Sequence, residues 1–462
     1  MRVEEEYKKT GYFWLPENEE NKIPGVLTIS DGGKIELEIV GHFNDEIEAA
    51  TDNDGLNRII GHVEDDGLVT LDDCFYTNKN ISFGGISKSR VLVHRVLSGA
   101  AWEKDQTVTF NTLSFSVDCL DEWVGLSGIN VDSDWNSKTA TISYSLPERI
   151  SLLLDNGMKL EICFAYTLPG APRVTEAKIT QRAYFRLESD RLLDLSSFTV
   201  VAFKITNLMC FAMNEIVAIK DLIATSREIQ YEVSPDKQRP VPISIYYQSI
   251  PFAEKKPKKS WHEMLFNFRA ITDDAQEVFN KWLDAYEDLY PALNLYFSTK
   301  AGAQKYLDGK FLALAHGLET YHRRTSTETL MDSGAFDSLV AEILKACPEE
   351  HVEWLRGRLA HGNEINLGKR LKKIIEPFKK HLGNSDERSK FLRRIVDTRN
   401  YLTHYSEDLK ERSAKGRDMW ILCQRMEVVF NLHFLKVIGF TEDKINSVVE
   451  NSYPLKRKLQ EI

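Results

Sequence analysis

The sequence predicts a multidomain α+β chain: a β-rich domain of sandwich or barrel type, followed by an all-α helical bundle. Three observations predict it. Through the first half, apolar residues recur at every second position, in short runs separated by turn signals. Beyond about residue 261 the spacing changes to the three-and-four pattern of amphipathic helices. Between the two lies Glu254-Lys255-Lys256-Pro257-Lys258-Lys259, which is charged, proline-containing and aperiodic. The expected division is a β-rich domain over 1–253, a linker at 254–260 and a helical domain over 261–462. A chain of 462 residues suits two or three domains.

The elements follow in order. Ile35, Leu37 and Ile39 alternate with charged residues behind the turn Asp31-Gly32-Gly33. Asp65-Asp66-Gly67 separates another pair of short runs. Val108, Phe110, Leu113, Phe115 and Val117 continue the pattern, as do Ala140, Ile142, Tyr144 and Leu146. Asp155-Asn156-Gly157 reads as a type I′ hairpin turn, because Asn-Gly tolerates positive φ. Leu160, Ile162, Phe164 and Tyr166 alternate after it. One helix interrupts: Val201, Ile205, Leu208 and Ala212 share a face behind Ser196, its expected N-cap. In the second half, helices are expected over 275–297, 302–323, 335–346, 349–360, 367–380, 386–401 and 416–437. Asp274 with Glu277, and Asn384 with Glu387, have the spacing of capping boxes.

Composition narrows the class. Hydrophobic residues make up 42% and charged residues 28%, which excludes a mainly disordered chain. The richest apolar run, Phe198 to Met213, is interrupted by Lys204 and Asn207, so no membrane span is expected. The first residues, Met1 to Glu6, lack the apolar core of a secretory signal, which makes a cytoplasmic protein the expectation. The six cysteines lie at least 44 residues apart and form no C-x-x-C pair, so neither a zinc site nor a redox motif is indicated and no cofactor is expected. Net charge is −10, but residues 301–462 carry +5 and residues 1–300 carry −15. Within 356–417 there are 17 basic and 8 acidic residues. A basic region in an acidic chain points to a polyanionic partner.

The chemistry concentrates in the helix that starts after Asn384. Phe391, Leu392, Ile395, Val396 and Leu402 form an apolar stripe, and at 100° per residue Arg399 is expected to point into its middle. An arginine there needs a partner or a polar cleft. It belongs to Asp397-Thr398-Arg399-Asn400-Tyr401-Leu402-Thr403-His404. An Arg and a His five apart are unspecific alone: Arg356 and His361 share the spacing, but lack the Asn that follows Arg399.

Arg399-Asn400-x-x-x-His404, late in a helix, resembles the R-x(4–6)-H signature of HEPN domains. The order of a β-rich domain and an α-helical one resembles ApeA-type anti-phage proteins. Looser cues are Glu319-Thr320-Tyr321-His322-Arg323 and Gly362-Asn363-Glu364. The resemblance implies a HEPN bundle that cleaves RNA without a metal and acts in anti-phage defence or abortive infection. It also implies a homodimer that builds one cleft from two motifs, with the β-rich domain as a sensing or regulatory module for a phage-derived trigger. The residue types fit RNA as substrate. Histidine as a residue type titrates near neutrality, and His404 can move the proton of a ribose 2′-OH or of the leaving oxygen. Arg399 can hold two oxygens of the transition state, and Asn400 can orient either partner. From Arg399 to His404 is 500°, a divergence of about 140° on a regular helix. Either the helix bends near 401–403, or the two residues meet across a twofold axis.

Further candidates are subsidiary. Asp397, Glu319 and His322 could support the Arg399 cleft. Arg393, Arg394, Lys372 and Lys373 could follow RNA phosphates. Phe83-Gly84-Gly85-Ile86-Ser87-Lys88-Ser89 lacks the spacing of a phosphate loop and is set aside. The main rival reading is a non-catalytic HEPN scaffold that dimerises and binds RNA. A DNA-binding regulator has no helix-turn-helix or zinc pattern behind it.

Overall fold

A computed structural model describes residues 1–43, 55–80, 82, 85–171, 174–234 and 237–460. Phe83 and Gly84 of the discarded loop lie outside them. The chain forms two compact units, Met1–Leu283 and Asp284–Ile462.

The first unit is built on six antiparallel strands: β1 (Tyr7–Trp14), β2 (Ile23–Ser30), β3 (Lys34–Val40), β4 (Gly55–Val63), β5 (Gly67–Asn80) and β6 (Lys88–Ser98). They run β6-β3-β2-β1-β4-β5, and β5 pairs back onto β6, which closes a barrel. Closure leaves the barrel strands without a free edge. The alternation read in the sequence lines its interior: Ile35, Leu37 and Ile39 point inward with Phe13, Leu27, Val69, Leu71 and Val91. The remaining strands are β7 (Thr109–Val117), β8 (Ile129–Asp134), β9 (Thr139–Tyr144), β10 (Ile150–Leu153), β11 (Lys159–Thr167), β12 (Thr180–Asp194), β13 (Ile219–Thr225), β14 (Gln230–Ser234), β15 (Lys237–Pro240) and β16 (Ile243–Tyr247). From β6 the sheet continues, open, as β16-β13-β7-β12-β11-β10. β8 with β9 and β14 with β15 make separate hairpins.

The short helix α1 (Leu120–Val124) and the long α2 (Leu195–Ala212) belong to this unit, and α2 packs on β7 and β12. Its N-cap is Asp194 rather than Ser196: the Asp194 carboxylate accepts the Ser197 N–H at 2.7 Å. By length and composition α2 is apolar enough to cross a membrane, contrary to the sequence reading, because one lysine does not outweigh its apolar run. Two thirds of it is buried within the unit, as a core helix would be. The Asp155-Asn156-Gly157 turn also differs from expectation. Only Gly157 takes positive φ, at 83°, and Leu154 N–H bonds to the Met158 carbonyl. This is a three-residue loop closed by a left-handed glycine, not a two-residue type I′ turn.

The division between units falls after Leu283, not at 254–260. The lysine-rich stretch is pinned to the first unit. Lys256 pairs with Glu4 and Lys259 with Glu215, while Arg2 donates to the Ala253 carbonyl at 2.8 Å. Residues beyond it also pack there: Leu265 N–H bonds to Ala212, Trp123 meets Phe268 edge-on, and Trp282 stacks on Phe211 while donating to the Lys204 carbonyl.

Helices α3 (Ala275–Lys300), within which the division falls, α4 (Leu307–Thr325), α5 (Ser333–Ala346), α6 (Val352–Leu359), α7 (Leu367–Ile375), α8 (Ser385–His404), α9 (Glu407–Lys410), α10 (Gly416–Val437), α11 (Glu442–Asn451) and α12 (Tyr453–Gln460) complete the chain. α4 begins five residues later than expected, after Gly302 takes a left-handed φ of 72°. α7 stops at Ile375, since Pro377 has no N–H to continue it. α10 is the central helix, buried from Met426 to Leu435, and α4 approaches it at Gly317, where a Cβ would lie 2.8 Å from the Phe430 ring.

Candidate active site

α8 carries the motif. Its start is fixed as the sequence implies: Asn384 accepts the N–H groups of Asp386 and Glu387, and Glu387 returns a bond to the Asn384 N–H. From there it is one regular helix to His404. Tyr405 takes left-handed φ and its N–H still bonds to the Tyr401 carbonyl. The helix does not bend at 401–403.

The buried line of α8 is Phe391, Ile395 and Thr398. The Thr398 hydroxyl accepts the buried Ala414 N–H at 2.8 Å. Arg399 is therefore at the flank of the apolar stripe, roughly 80° round from Phe391, and not in its middle. Its side chain is 36% exposed. It lines a cleft of about 690 Å³ bounded by α3, α4 and α8. Arg399 Nη1 donates to Asn400 Oδ1 at 3.1 Å, and Nη2 lies 3.7 Å from Glu319 Oε2. Glu319 also accepts from Arg323 at 3.2 Å, and Arg323 reaches Glu364. One carboxylate thus steadies two guanidiniums while leaving donors of Arg399 facing the cleft.

The other sequence candidates do not all gather here. Glu319 does. His404 is exposed at the end of α8 and does not line this cleft. His322 is buried on another side of α4, where its Nδ1 lies 3.3 Å from Arg370 Nη1. Burial, and then the Arg370 charge, hold its pKa below the usual histidine value. Asp397, Arg393 and Arg394 line a second cleft of about 570 Å³ between α8 and α10. Lys372 is exposed on α7, and Lys373 pairs with Glu328 at 2.8 Å. The duplicate spacing at Arg356 and His361 is an exposed helix end, paired with Glu353 and Glu364.

Sequence reasoning missed His316, which lines the Arg399 cleft with Thr320 and Thr403. The signal was present: His316, Glu319 and Arg323 recur at helical spacing on one face of α4. Among the described residues, no group of three or more His, Cys, Asp or Glu could hold a metal ion.

What the α8 cleft can do is bind an anion through a braced guanidinium, next to a helix whose last residue is a solvent-facing imidazole. Residues 312–444 match the model of the Apea-like HEPN domain, and residues 8–282 match that of ApeA N-terminal domain 1. No curated protein and no solved structure matches the chain. HEPN domains are generally ribonucleases that commonly bind RNA and dimerise, which gives this chain a nuclease, RNA-related function in defence. The chain belongs to the ApeA family, a β-rich ApeA N-terminal domain joined to an Apea-like HEPN domain.

Proposed function

We propose that the chain is a cytoplasmic, homodimeric endoribonuclease of anti-phage defence that cleaves RNA without a metal. The observation that carries this reading is the braced Arg399–Asn400 pair at an open cleft, five residues before an unencumbered His404 on the same regular helix. His404 withdraws the proton of a ribose 2′-OH. The 2′-oxygen attacks the adjacent phosphorus, the bond to the 5′-oxygen breaks, and a histidine returns a proton to that oxygen. Arg399 holds the non-bridging oxygens as charge builds on them. The products are a 2′,3′-cyclic phosphate and a 5′-hydroxyl.

A divergence of about 140° keeps Arg399 and His404 of one chain apart, so His404 of the partner subunit completes the site. The β-rich unit acts as the sensing module for a phage-derived trigger.

The test is incubation of the full chain with RNA in excess EDTA. Cleavage is expected to persist and to leave cyclic phosphate ends. His404→Ala and Arg399→Ala should each remove most activity, by at least about a hundredfold, while His361→Ala retains it. Activity that disappears in EDTA and returns with a divalent ion, or that depends on His361 instead, refutes the reading.

A further inference from the structure

The cleft between α8 and α10 is on the opposite side of α8 from Arg399, and the catalytic reading leaves it unused. Its lining combines cations with an apolar floor, a pairing that a bare phosphate site does not need. Phe391, Ile421 and Leu422 supply the floor. The Arg425 guanidinium lies over the Phe391 ring at 5.1 Å from its centroid. Arg394 braces the wall by donating to the Arg412 carbonyl and to Asp418, both at 3.0 Å, and so neutralises one of the lining carboxylates.

Lys390, Arg393 and Arg425 remain uncommitted. Among the described residues, no carboxylate lies within 4 Å of Arg393, which is exposed, or of Arg425, which is half-buried. Burial pulls Arg425 below its ordinary pKa, against a weaker pull from Glu387. A half-buried guanidinium without a counter-ion gains from an arriving anion. Asp397 and Glu411 also line the cleft.

Position links the cleft to the chemistry. Arg393, Asp397, Asn400 and His404 recur at i, i+4, i+7 and i+11, on one face of a helix that is regular throughout. From Asp397 to His404 is roughly 20° round the helix and ~10 Å along it. That is the rise of about three stacked nucleotides at ~3.4 Å each.

We propose that the α8–α10 cleft is a nucleotide-binding subsite that takes single-stranded RNA beside the linkage cut at His404, with Arg393 on a phosphate and a base against the Arg425 guanidinium. The proposal rests on the ribonuclease reading. A cleft of about 570 Å³ is of small-ligand size. An unstacked base finds in it a planar cation, the Arg425 guanidinium backed by the buried Phe391 ring, a surface on which single-stranded bases are held.

The test measures binding, not cleavage. The full chain carrying His404→Ala is titrated against a short fluorescent single-stranded RNA over a range of salt. Adding Arg393→Ala should weaken binding three- to tenfold and lower the slope of log affinity against log salt by about 0.7, the loss of one phosphate contact. Adding Arg425→Lys keeps the charge but removes the plane. It should weaken binding about fivefold or more with the slope unchanged. Lys345→Ala, an exposed cation on α5, should change neither. Parent-like affinity in both arginine variants overturns the subsite, and chelator-resistant cleavage would still leave the ribonuclease reading standing. An equal slope change in Lys345→Ala also overturns it, because diffuse charge would then account for binding. A parent that binds no RNA overturns both.

Discussion

His433 shows how a single buried residue ties the helical unit to pH. It lies on α10 with Nε2–H donating to the Ile374 carbonyl at 2.8 Å, enclosed by Tyr321 and Phe378. Burial pulls its pKa down to about 4, against the opposing effect of that hydrogen bond. A folded-state value below the unfolded one means that the unfolded chain binds the extra proton first. Stability is therefore full above about pH 6.5 and falls as pH drops toward 4, by up to ~3 kcal/mol from this group. The thermal midpoint should fall over that window, and His433→Gln, which keeps a donor but does not titrate, should flatten the dependence. His322 and His381 are shifted the same way and leave a residual slope. An unchanged pH profile in His433→Gln removes His433 from this role. Residues of this kind were not legible in the sequence. Arg399 and Asn400 were, because a charged residue bordering an apolar stripe has to be explained locally. His433, Thr398 and Arg425 were not, because what they touch is set by α7, Ala414 and Phe391, which meet them only on folding.

Among the elements, α8 was the most legible, because a capping box states where it starts and no proline or glycine interrupts it. Strand alternation was legible too, yet it reports an element and not its covering. Val131 faces Ile142 across the β8–β9 hairpin, and both are exposed, as is Trp135 at its tip, 90% open to solvent. Barrel closure was beyond reach, since it depends on β5 pairing with both β4 and β6. The helical elements are fastened by a group the sequence did not single out. Glu427 on α10 is 2% exposed and meets Lys300 at 2.8 Å, Lys310 at 2.7 Å and Lys458, from α3, α4 and α12. Burial alone would raise its pKa, but the three ammonium groups outweigh that and hold it well below the usual carboxylate range. Removing it leaves partly buried ammonium groups without a counter-ion. Glu427→Ala should cost about 3–5 kcal/mol in a denaturant titration, the range for breaking a buried ion pair. A loss within the ~1 kcal/mol of an exposed pair would show that solvent already screens the cluster.

At the scale of the whole molecule, the change from β to α was legible but its position was not. Charge and proline marked 254–260, whereas the aromatic side chains of Phe268 and Trp282 carried residues 261–283 into the first unit. The same scale decides whether the motif works within one chain or between two. A helix that is regular to His404 offers no bend to bring Arg399 and His404 together, which supports the proposed twofold site. In a symmetric dimer each site would take Arg399 from one subunit and His404 from the other. Inactive Arg399→Ala and His404→Ala chains, mixed in equal amounts and allowed to exchange, give heterodimers in about half of all pairs. Each heterodimer contains one site with both residues intact and one with neither. Activity should then return to about a quarter of the wild-type level, whereas each variant alone stays inactive. Exchange is confirmed by differently tagged subunits that co-purify. Co-purified heterodimers with no recovered activity would place both residues of each site in one chain and refute the shared site.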